Sequence, residues 1–408
     1  MSSDEGYPTP TSEEQHEVEM EVLREFGRVL NSPDFDPEVS LKLHREIHVE
    51  FLARGLREPL RPSFISLEAS RPWILYWILH SLDLLGQRDL ILKEFSGPCI
   101  SVLQQCQHAS GGFGGGSHQL PHLATTYAAV SALICIGTDE ALCVIDRVKV
   151  KDFVLSMKDK SSGGFRMHED GEIDMRGTYC AIAVASILQL LDESITENVG
   201  DYVRNCQTYE GGIAGEPGLE AHGGYSYCGL AAVAILGQSV PEFIDIPSLC
   251  EWLGRRQMVY EGGFQGRANK LVDSCYTFWQ GAAFPLISEI ARNNMPRMEG
   301  YDKCLLVSHP AQLYVLLAAQ SETGGMRDKP GKAADFYHTC YALSGLAALQ
   351  FPDNIMEQVL GPKSNKLERN CVFYNNCLAQ VKKAREFFSH TDRLGYEGLG
   401  VLASYPDR

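Results

Sequence analysis

Residues 207–237 read QTYEGGIAGEPGLEAHGGYSYCGLAAVAILG, and the fold turns on what this stretch repeats. A Gln comes first, then a Gly pair with an apolar residue behind it, a polar link, and a run of small apolar residues. The same order recurs: QHASGGF ends at Phe113, QMVYEGGF at Phe264, QSETGGM at Met326, and a degenerate MKDKSSGGF at Phe165. The Gly pairs begin at 111, 163, 211, 262 and 324, in steps of 52, 48, 51 and 62 residues. A near-constant step marks one supersecondary unit used many times over.

The runs behind the Gly pairs are TTYAAVSALICIG (125–137), GTYCAIAVASILQLL (177–191), YSYCGLAAVAILG (225–237), CYTFWQGAAF (275–284) and TCYALSGLAALQ (339–350). They are apolar on most faces, as helices buried on both sides are. Between them lie amphipathic segments such as ENVGDYVRNCQ (197–207) and IPSLCEWLGRRQ (246–257), suited to an outer layer. The pattern therefore predicts an all-α protein, an α/α barrel (toroid) of repeated helix pairs around a central cavity. An open solenoid of the armadillo kind is the competing arrangement. In a closed barrel, inner helices that each start after a Gly pair would gather their positive dipole ends at one mouth, which would attract anions.

Composition bounds the remainder. The chain has 408 residues, with 44% hydrophobic and 22% charged side chains, the mix of a globular protein with a large core. No apolar stretch reaches the length of a membrane span, and the acidic start MSSDEGYPTPTSEEQ reads as neither anchor nor secretory signal. A net charge of −16 opposes nucleic-acid binding, so any anion site must be local. Thirteen cysteines without a CxxC framework read as reduced thiols of a cytoplasmic protein. Residues 1–15 are expected to form a disordered acidic tail and 16–408 a single barrel domain, with repeats near 65–350 and a C-terminal extension over 351–408. Within that extension, PKSNKLERNCVFYNNCL (362–378) reads as an irregular excursion.

Cations, metal-binding side chains and aromatics recur at one phase of the repeat, the start of each inner helix. Arg176 and Tyr179 stand in DMRGTYC, and His222, Gly224, Tyr225 and Cys228 in AHGGYSYC. RANKLVDSCYTFW (267–279) carries Arg267, Lys270, Asp273, Cys275, Tyr276 and Trp279, and DFYHTCY carries Asp335, Tyr337, His338 and Tyr341. SRPWILYWILH, further upstream, adds Trp73 and Trp77. Singly, each has an ordinary explanation: a packed thiol, a helix-capping carboxylate, a satisfied histidine or a solvated cation. Their shared phase is what points to a site.

The segments AHGGYSYCGLAA, GGFQGRANKLVDSCYTFWQ and DFYHTCYALSGLAA, with the repeat itself, resemble the β subunits of protein prenyltransferases, and among them the farnesyl-transferring members. The likeness covers roughly residues 65 to 350. It implies a heterodimeric enzyme that works with a helical-repeat α subunit and joins the farnesyl group of farnesyl diphosphate to the Cys thiol of C-terminal CaaX sequences, as on small GTPases. By position it implies one zinc per β subunit on Asp273, Cys275 and His338. It places the diphosphate on His222, Arg267, Lys270 and Tyr276. The isoprenoid falls against Trp279, Tyr225, Cys228, Gly224, Tyr179, Arg176, Trp73 and Tyr341, and the CaaX peptide against Trp73, Trp77, Tyr337 and Arg176. Asp328 matches an acidic position tied to magnesium in farnesyl-type members. The α subunit supplies a further Lys to the diphosphate, so this chain alone is expected to be almost inactive.

The residue types suit that chemistry. One carboxylate, one thiolate and one imidazole leave a fourth position open on zinc, the mark of a catalytic site. Two anionic ligands keep an incoming sulfur electron-rich, where an all-His site would suit water activation. Geranylgeranyl-transferring members of the family are smaller at the positions of Trp73 and Tyr341, so the large rings here imply a fifteen-carbon limit. Exchange of Trp73 for a small residue separates that reading from a type I geranylgeranyltransferase β subunit. A terpene cyclase would share barrel and repeat, but its DxDD or DDxxD acid motif is missing from the sequence. A non-enzymatic helical scaffold would bind no zinc.

Overall fold

The computed structural model describes residues 7–60, 62–237, 239–294, 308–351 and 357–390. In chain order its principal helices are α1 (Pro10–Leu30), α2 (Arg45–Arg57), α3 (Arg71–Leu84), α4 (Ser96–Cys106), α5 (Leu123–Ile136), α6 (Arg147–Met157), α7 (Met175–Ile187), α8 (Val199–Cys206), α9 (Gly223–Ile235), α10 (Ile246–Gly254), α11 (Tyr276–Trp279), α12 (Ala283–Asn294), α13 (Ser308–Leu313), α14 (Phe336–Leu349) and α15 (Leu378–His390). Two-residue strands pair antiparallel as β1 (Phe165–Arg166) with β2 (Ile173–Asp174), and β3 (Asn370–Cys371) with β4 (Asn376–Cys377).

Helix α3 packs on α5, α5 on α7, α7 on α9, α9 on α11, α11 on α14, and α14 returns to α3. That return contact closes the ring and excludes the open solenoid. The inner helices are buried along nearly their whole length, as their all-round apolar sequence requires: every residue of α5 but one lies inside. Outer helices bury one stripe, in α10 Ile246, Leu249, Cys250, Trp252 and Leu253.

The repeated Gln and Gly pair explain the stacking. Gly211 has φ of 100°, and a Cβ there would lie 2.3 Å from the carbonyl oxygen of Ser248 in the next outer helix. Only a glycine tolerates both the left-handed backbone and that approach. Gln207 bridges the same gap: its Nε2 donates to Gly211 O at 2.8 Å and to Asp245 O at 3.0 Å, and its Oε1 accepts from Asp245 N at 2.8 Å. In the last repeat the partner is the first outer helix. Gly324, at φ 90°, would bring a Cβ to 2.4 Å from Ile47 O in α2, and Gln320 Oε1 accepts from His44 N and His48 Nε2, both at 2.8 Å. The first Gly recurs at every joint and at the seam, and in the degenerate repeat Lys158 replaces the Gln, its Nζ donating to Gly163 O, Ile195 O and Glu197 O.

Two expectations need correction. The tail assigned to residues 1–15 is helical from Pro10 onward, because Thr9 and Ser12 form a reciprocal cap and Val18, Val22 and Phe26 pack against Val272, Tyr314 and Ala318. Residues 1–6 of that expected tail lie outside the described residues. The fourth apolar run is not one helix: Gly281 stands where a Cβ would lie 2.1 Å from Thr277 O, and the chain breaks between α11 and α12. The upstream segment SRPWILYWILH forms α3, a sixth inner helix that completes the ring.

The excursion at 362–378 enters the barrel at the end opposite the inner N-termini. There β3 and β4 carry a tight turn, Val372–Asn375, whose residues are at most 3% exposed. Asn375 closes it with φ of 52°, a conformation Asn tolerates. Among the described residues, no helix is long and apolar enough to cross a membrane.

Candidate active site and metal centre

Asp273, Cys275 and His338 converge, each offering one ligand atom with all three atoms within 4.8 Å of one another. Asp273 and Cys275 precede α11, where Cys275 N donates to Asp273 Oδ1 at 2.9 Å and bends the carboxylate back over the thiol. His338 stands in the first turn of α14. The N-cap Asp335 accepts from His338 N at 2.7 Å through Oδ1, and from the ring Nδ1 at 2.7 Å through Oδ2. One carboxylate therefore caps the helix and fixes the ring, leaving Nε2 3.4 Å from Asp273 Oδ1.

Burial disfavours a charged His338 ring, but the bonds to Asp273 and Asp335 outweigh it and lift the imidazole to about 10. Burial also works to raise Asp273, yet its bond and charge contact with His338 hold it below the usual carboxylate range. The Cys275 thiol is pushed well up, by burial first and by Asp273 second. Asp273 thus contributes to raising both the imidazole and the thiol, a carboxylate field that favours a bound cation. The cluster's carboxylate, thiol and imidazole fit a borderline-soft divalent ion, with zinc the natural choice.

Behind this cluster Asp328 is half-buried, its Oδ1 buried with no hydrogen-bond partner among the described residues, while Oδ2 meets Lys329 Nζ at 2.5 Å. Burial and then the charge of Asp273 raise its pKa despite Lys329. Its backbone carbonyl accepts from Ser274 N and Tyr314 OH, both at 2.9 Å, so the loop is held against the cluster.

The anion-binding candidates form a second group. His222 caps α9, its Nδ1 accepting from Gly224 N at 3.1 Å, which leaves the proton of the neutral ring on Nε2. Burial first, and Arg267 next, lower its pKa and keep it neutral. Nε2 lies 3.0 Å from Tyr276 OH, so the imidazole donates and the phenol proton is left to point elsewhere. Gly266 makes room for that ring, since a Cβ there would sit 2.1 Å from Tyr276 Cζ. Arg267 and Lys270 lie on the loop that leads into α11. Arg267 pairs with Glu220, and Lys270 is exposed, its backbone N–H bonded to Gln265 Oε1 at 3.2 Å.

Aromatic rings of the inner helices meet one another, Trp73, Trp77, Trp279 and Tyr337 half-buried and Tyr127, Tyr179 and Tyr341 buried. Trp279 stacks on Tyr341 at 4.5 Å and donates to Tyr337 OH at 3.2 Å, and Tyr337 meets Trp77 edge-on at 5.6 Å. Trp77 lies 5.7 Å from Trp73, which continues to Tyr127 at 5.8 Å, and Tyr127 to Tyr179 at 5.5 Å. Arg176 reaches over Tyr225 at 6.0 Å and is tied to Asp174; Cys228 is buried on α9. The structure thus brings Asp273, Cys275 and His338 together and sets His222 against Tyr276, while Lys270 is exposed on its loop. Sequence reading passed over Tyr127, Asp174, Glu220 and the second role of Asp335. The signal for Tyr127 was available, since TTYAA, GTYCA and YSYCG each place a Tyr directly after a Thr or Ser at one phase.

The profile of the prenyltransferase alpha-alpha toroid domain matches residues 43–378. The protein farnesyltransferase subunit beta of Arabidopsis thaliana is 40% identical over 439 residues, spanning 93% of this chain and 90% of that one. The geranylgeranyl transferase type-1 subunit beta of the same plant is more distant, 30% identical, covering 81% of this chain and 90% of its own. Among solved structures, a Candida albicans protein geranylgeranyltransferase-I complexed with GGPP superposes with a TM-score of 0.70 at 20% identity, over 85% of this chain and 99% of that one, and supports the fold. With the toroid closed and relatives this similar along nearly its full length, the chain belongs to the family of protein farnesyltransferase β subunits.

Proposed function

We propose that this chain, paired with an α subunit, transfers the farnesyl group of farnesyl diphosphate to the Cys thiol of C-terminal CaaX sequences such as those of small GTPases. The observation that carries the reading is the convergence of Asp273, Cys275 and His338, with Asp335 orienting the imidazole. These three would hold zinc, which when bound supplies the positive charge that keeps a substrate thiol deprotonated at neutral pH.

The chain's own residues account for the other half. Tyr276, its oxygen accepting a hydrogen bond from His222 Nε2, donates its hydroxyl hydrogen to the diphosphate, while Arg267 and Lys270 neutralise charge that grows as the carbon–oxygen bond breaks. Arg267 must exchange Glu220 for the ligand. The sulfur then forms its bond to the farnesyl carbon, diphosphate leaves, and the thioether remains. The unpaired Oδ1 of Asp328 supports magnesium at the diphosphate. The rings from Trp279 to Trp73, with Tyr225, Tyr179, Cys228 and Gly224, form the isoprenoid wall. Burying fifteen carbons there is worth on the order of 10 kcal/mol. Trp77, whose indole N–H has no partner among the described residues, joins Trp73, Tyr337 and Arg176 in receiving the peptide. The described cysteines are all free thiols and all but Cys143 are buried, which supports a cytoplasmic enzyme.

The test is transfer of labelled farnesyl and geranylgeranyl groups to a CaaX peptide by the co-expressed heterodimer. Farnesyl transfer should dominate, stop with a zinc chelator and return with zinc, and the β chain alone should turn over little. Undiminished transfer by His338→Ala, or a purified complex without zinc, would refute the reading.

A further inference from the structure

Four inner helices place a tyrosine at one phase of the repeat, and all four hydroxyls leave the cavity in the same direction. Tyr76 OH donates to Asn375 O at 2.5 Å, Tyr127 OH to Tyr374 O at 2.7 Å, Tyr179 OH to Phe373 O at 3.1 Å, and Tyr227 OH to Val372 O at 2.8 Å. Consecutive carbonyls of the β3–β4 turn are thus taken by consecutive helices α3, α5, α7 and α9, in reverse chain order. The rings touch around the belt, at 5.9 Å from Tyr76 to Tyr127 and 5.5 Å at each of the next two steps. Tyr227 passes the belt on to Phe278 at 4.8 Å, where the helix offers no hydroxyl and the ladder ends.

The turn is held from its own side as well. Cys371 O accepts from Tyr374 N at 3.2 Å and from Asn375 N at 2.9 Å, and Asn370 Nδ2 donates to Asn375 Oδ1 at 2.8 Å. The four phenols are at most 5% exposed. Buried carbonyls and hydroxyls need partners, and here each completes the other. The ring faces left toward the cavity are then apolar, and their height is set by the turn beneath.

We propose that the Val372–Asn375 turn and the hydroxyls of Tyr76, Tyr127, Tyr179 and Tyr227 act together as positioning residues that fix the depth of the cavity floor, and so its preference for a fifteen-carbon over a twenty-carbon donor. This rests on the isoprenoid reading of the cavity. The hydroxyls take no part in the chemistry. Without them the buried carbonyls lose their anchors, the turn can withdraw, and the rings above gain room to tilt.

The experiment uses the co-expressed heterodimer carrying Tyr127→Phe with Tyr179→Phe, which keeps both rings and removes only two hydroxyls; the single Tyr127→Phe serves if the pair folds poorly. The ratio of kcat/KM for geranylgeranyl over farnesyl diphosphate should rise about tenfold, and amides of 370–377 should exchange faster. Tyr202→Phe, which removes a hydroxyl bonded to Ile173 O at 3.2 Å outside the belt, should leave the ratio at the wild-type value. An unchanged ratio in the paired variant, with or without faster exchange, overturns the inference. So does an equal rise in Tyr202→Phe. A wild-type complex that transfers neither group overturns instead the reading of the reaction.

Discussion

Asp335 carries two duties that one substitution separates. As N-cap it accepts from His338 N, and through its other oxygen it holds Nδ1 of the same residue, both at 2.7 Å. Asn is as good a cap as Asp, so Asp335→Asn should leave α14 folded. It would present an amide in place of a carboxylate to Nδ1, weakening the hold on the ring and the basicity of Nε2. Outer-shell losses of this kind typically cost 10- to 100-fold in metal affinity. Zinc competition against a chromophoric chelator should show a drop of that size with a melting temperature within about 2 °C of wild type. The candidate ligands Asp273, Cys275 and His338 were legible through the family resemblance that DSC and FYH help to carry, while their shared position at the start of inner helices marked only a common site. The second duty of Asp335 was not, because a capping carboxylate and an orienting one look alike in sequence. Nor did the positions of Arg267 and Glu220 reveal that the cation starts out paired, since they lie 47 residues apart.

Between elements, the joints depend on polar side chains buried at the seam, and His48 makes one of them acid-sensitive. Its Nδ1 accepts from Gly325 N at 2.9 Å and its Nε2 meets Gln320 Oε1 at 2.8 Å, so the neutral tautomer joins α2 to the last Gly-Gly loop. Burial chiefly, against the opposing bond to Gln320, lowers its pKa to about 4. Because the folded value lies below the unfolded one of about 6.5, the joint is fully formed above pH 6.5. Its contribution is lost as pH falls from there toward 4, by about 3 kcal/mol for a shift of this size. Denaturant titrations between pH 7.5 and 4.5 should show the decline, and His48→Gln should be less stable at pH 7.5 but flatter over that interval. A variant as steep as wild type would refute the assignment. The helix pairs themselves were readable from the alternation of all-apolar and one-sided segments. The break after α11 was not, because the approach of Gly281 to Thr277 O depends on a backbone turn that composition does not encode. The course of 362–378 was equally hidden: NCVFYNNC has no helical period, and its burial comes from partners up to 299 residues away.

For the molecule as a whole, closure means that no repeat is terminal, and the seam can be tested for that. Phe336 of α14 packs on Phe51 of α2 at 5.2 Å and on Phe64 at 5.7 Å, while Gly55 leaves room for its ring, since a Cβ there would lie 2.5 Å from Cζ. In an open stack this contact would lie at an end, and its loss would fray that end while distant repeats held, because each unit answers only to its neighbours. In a ring, the seam is as deep in the structure as any other joint. Phe336→Ala opens a cavity costing about 3 kcal/mol. Amides of α7 and α9, which sit across the ring, should lose the same free energy of protection as those of α3 and α14 when exchange is limited by global opening. Hydrogen exchange at graded denaturant reads each helix separately. Equal losses would mean that the helices supplying the metal ligands, the anion site and the aromatic belt stand or fall as one cooperative body. Protection retained in α7 and α9 would mean that the toroid, though closed, unfolds as an array.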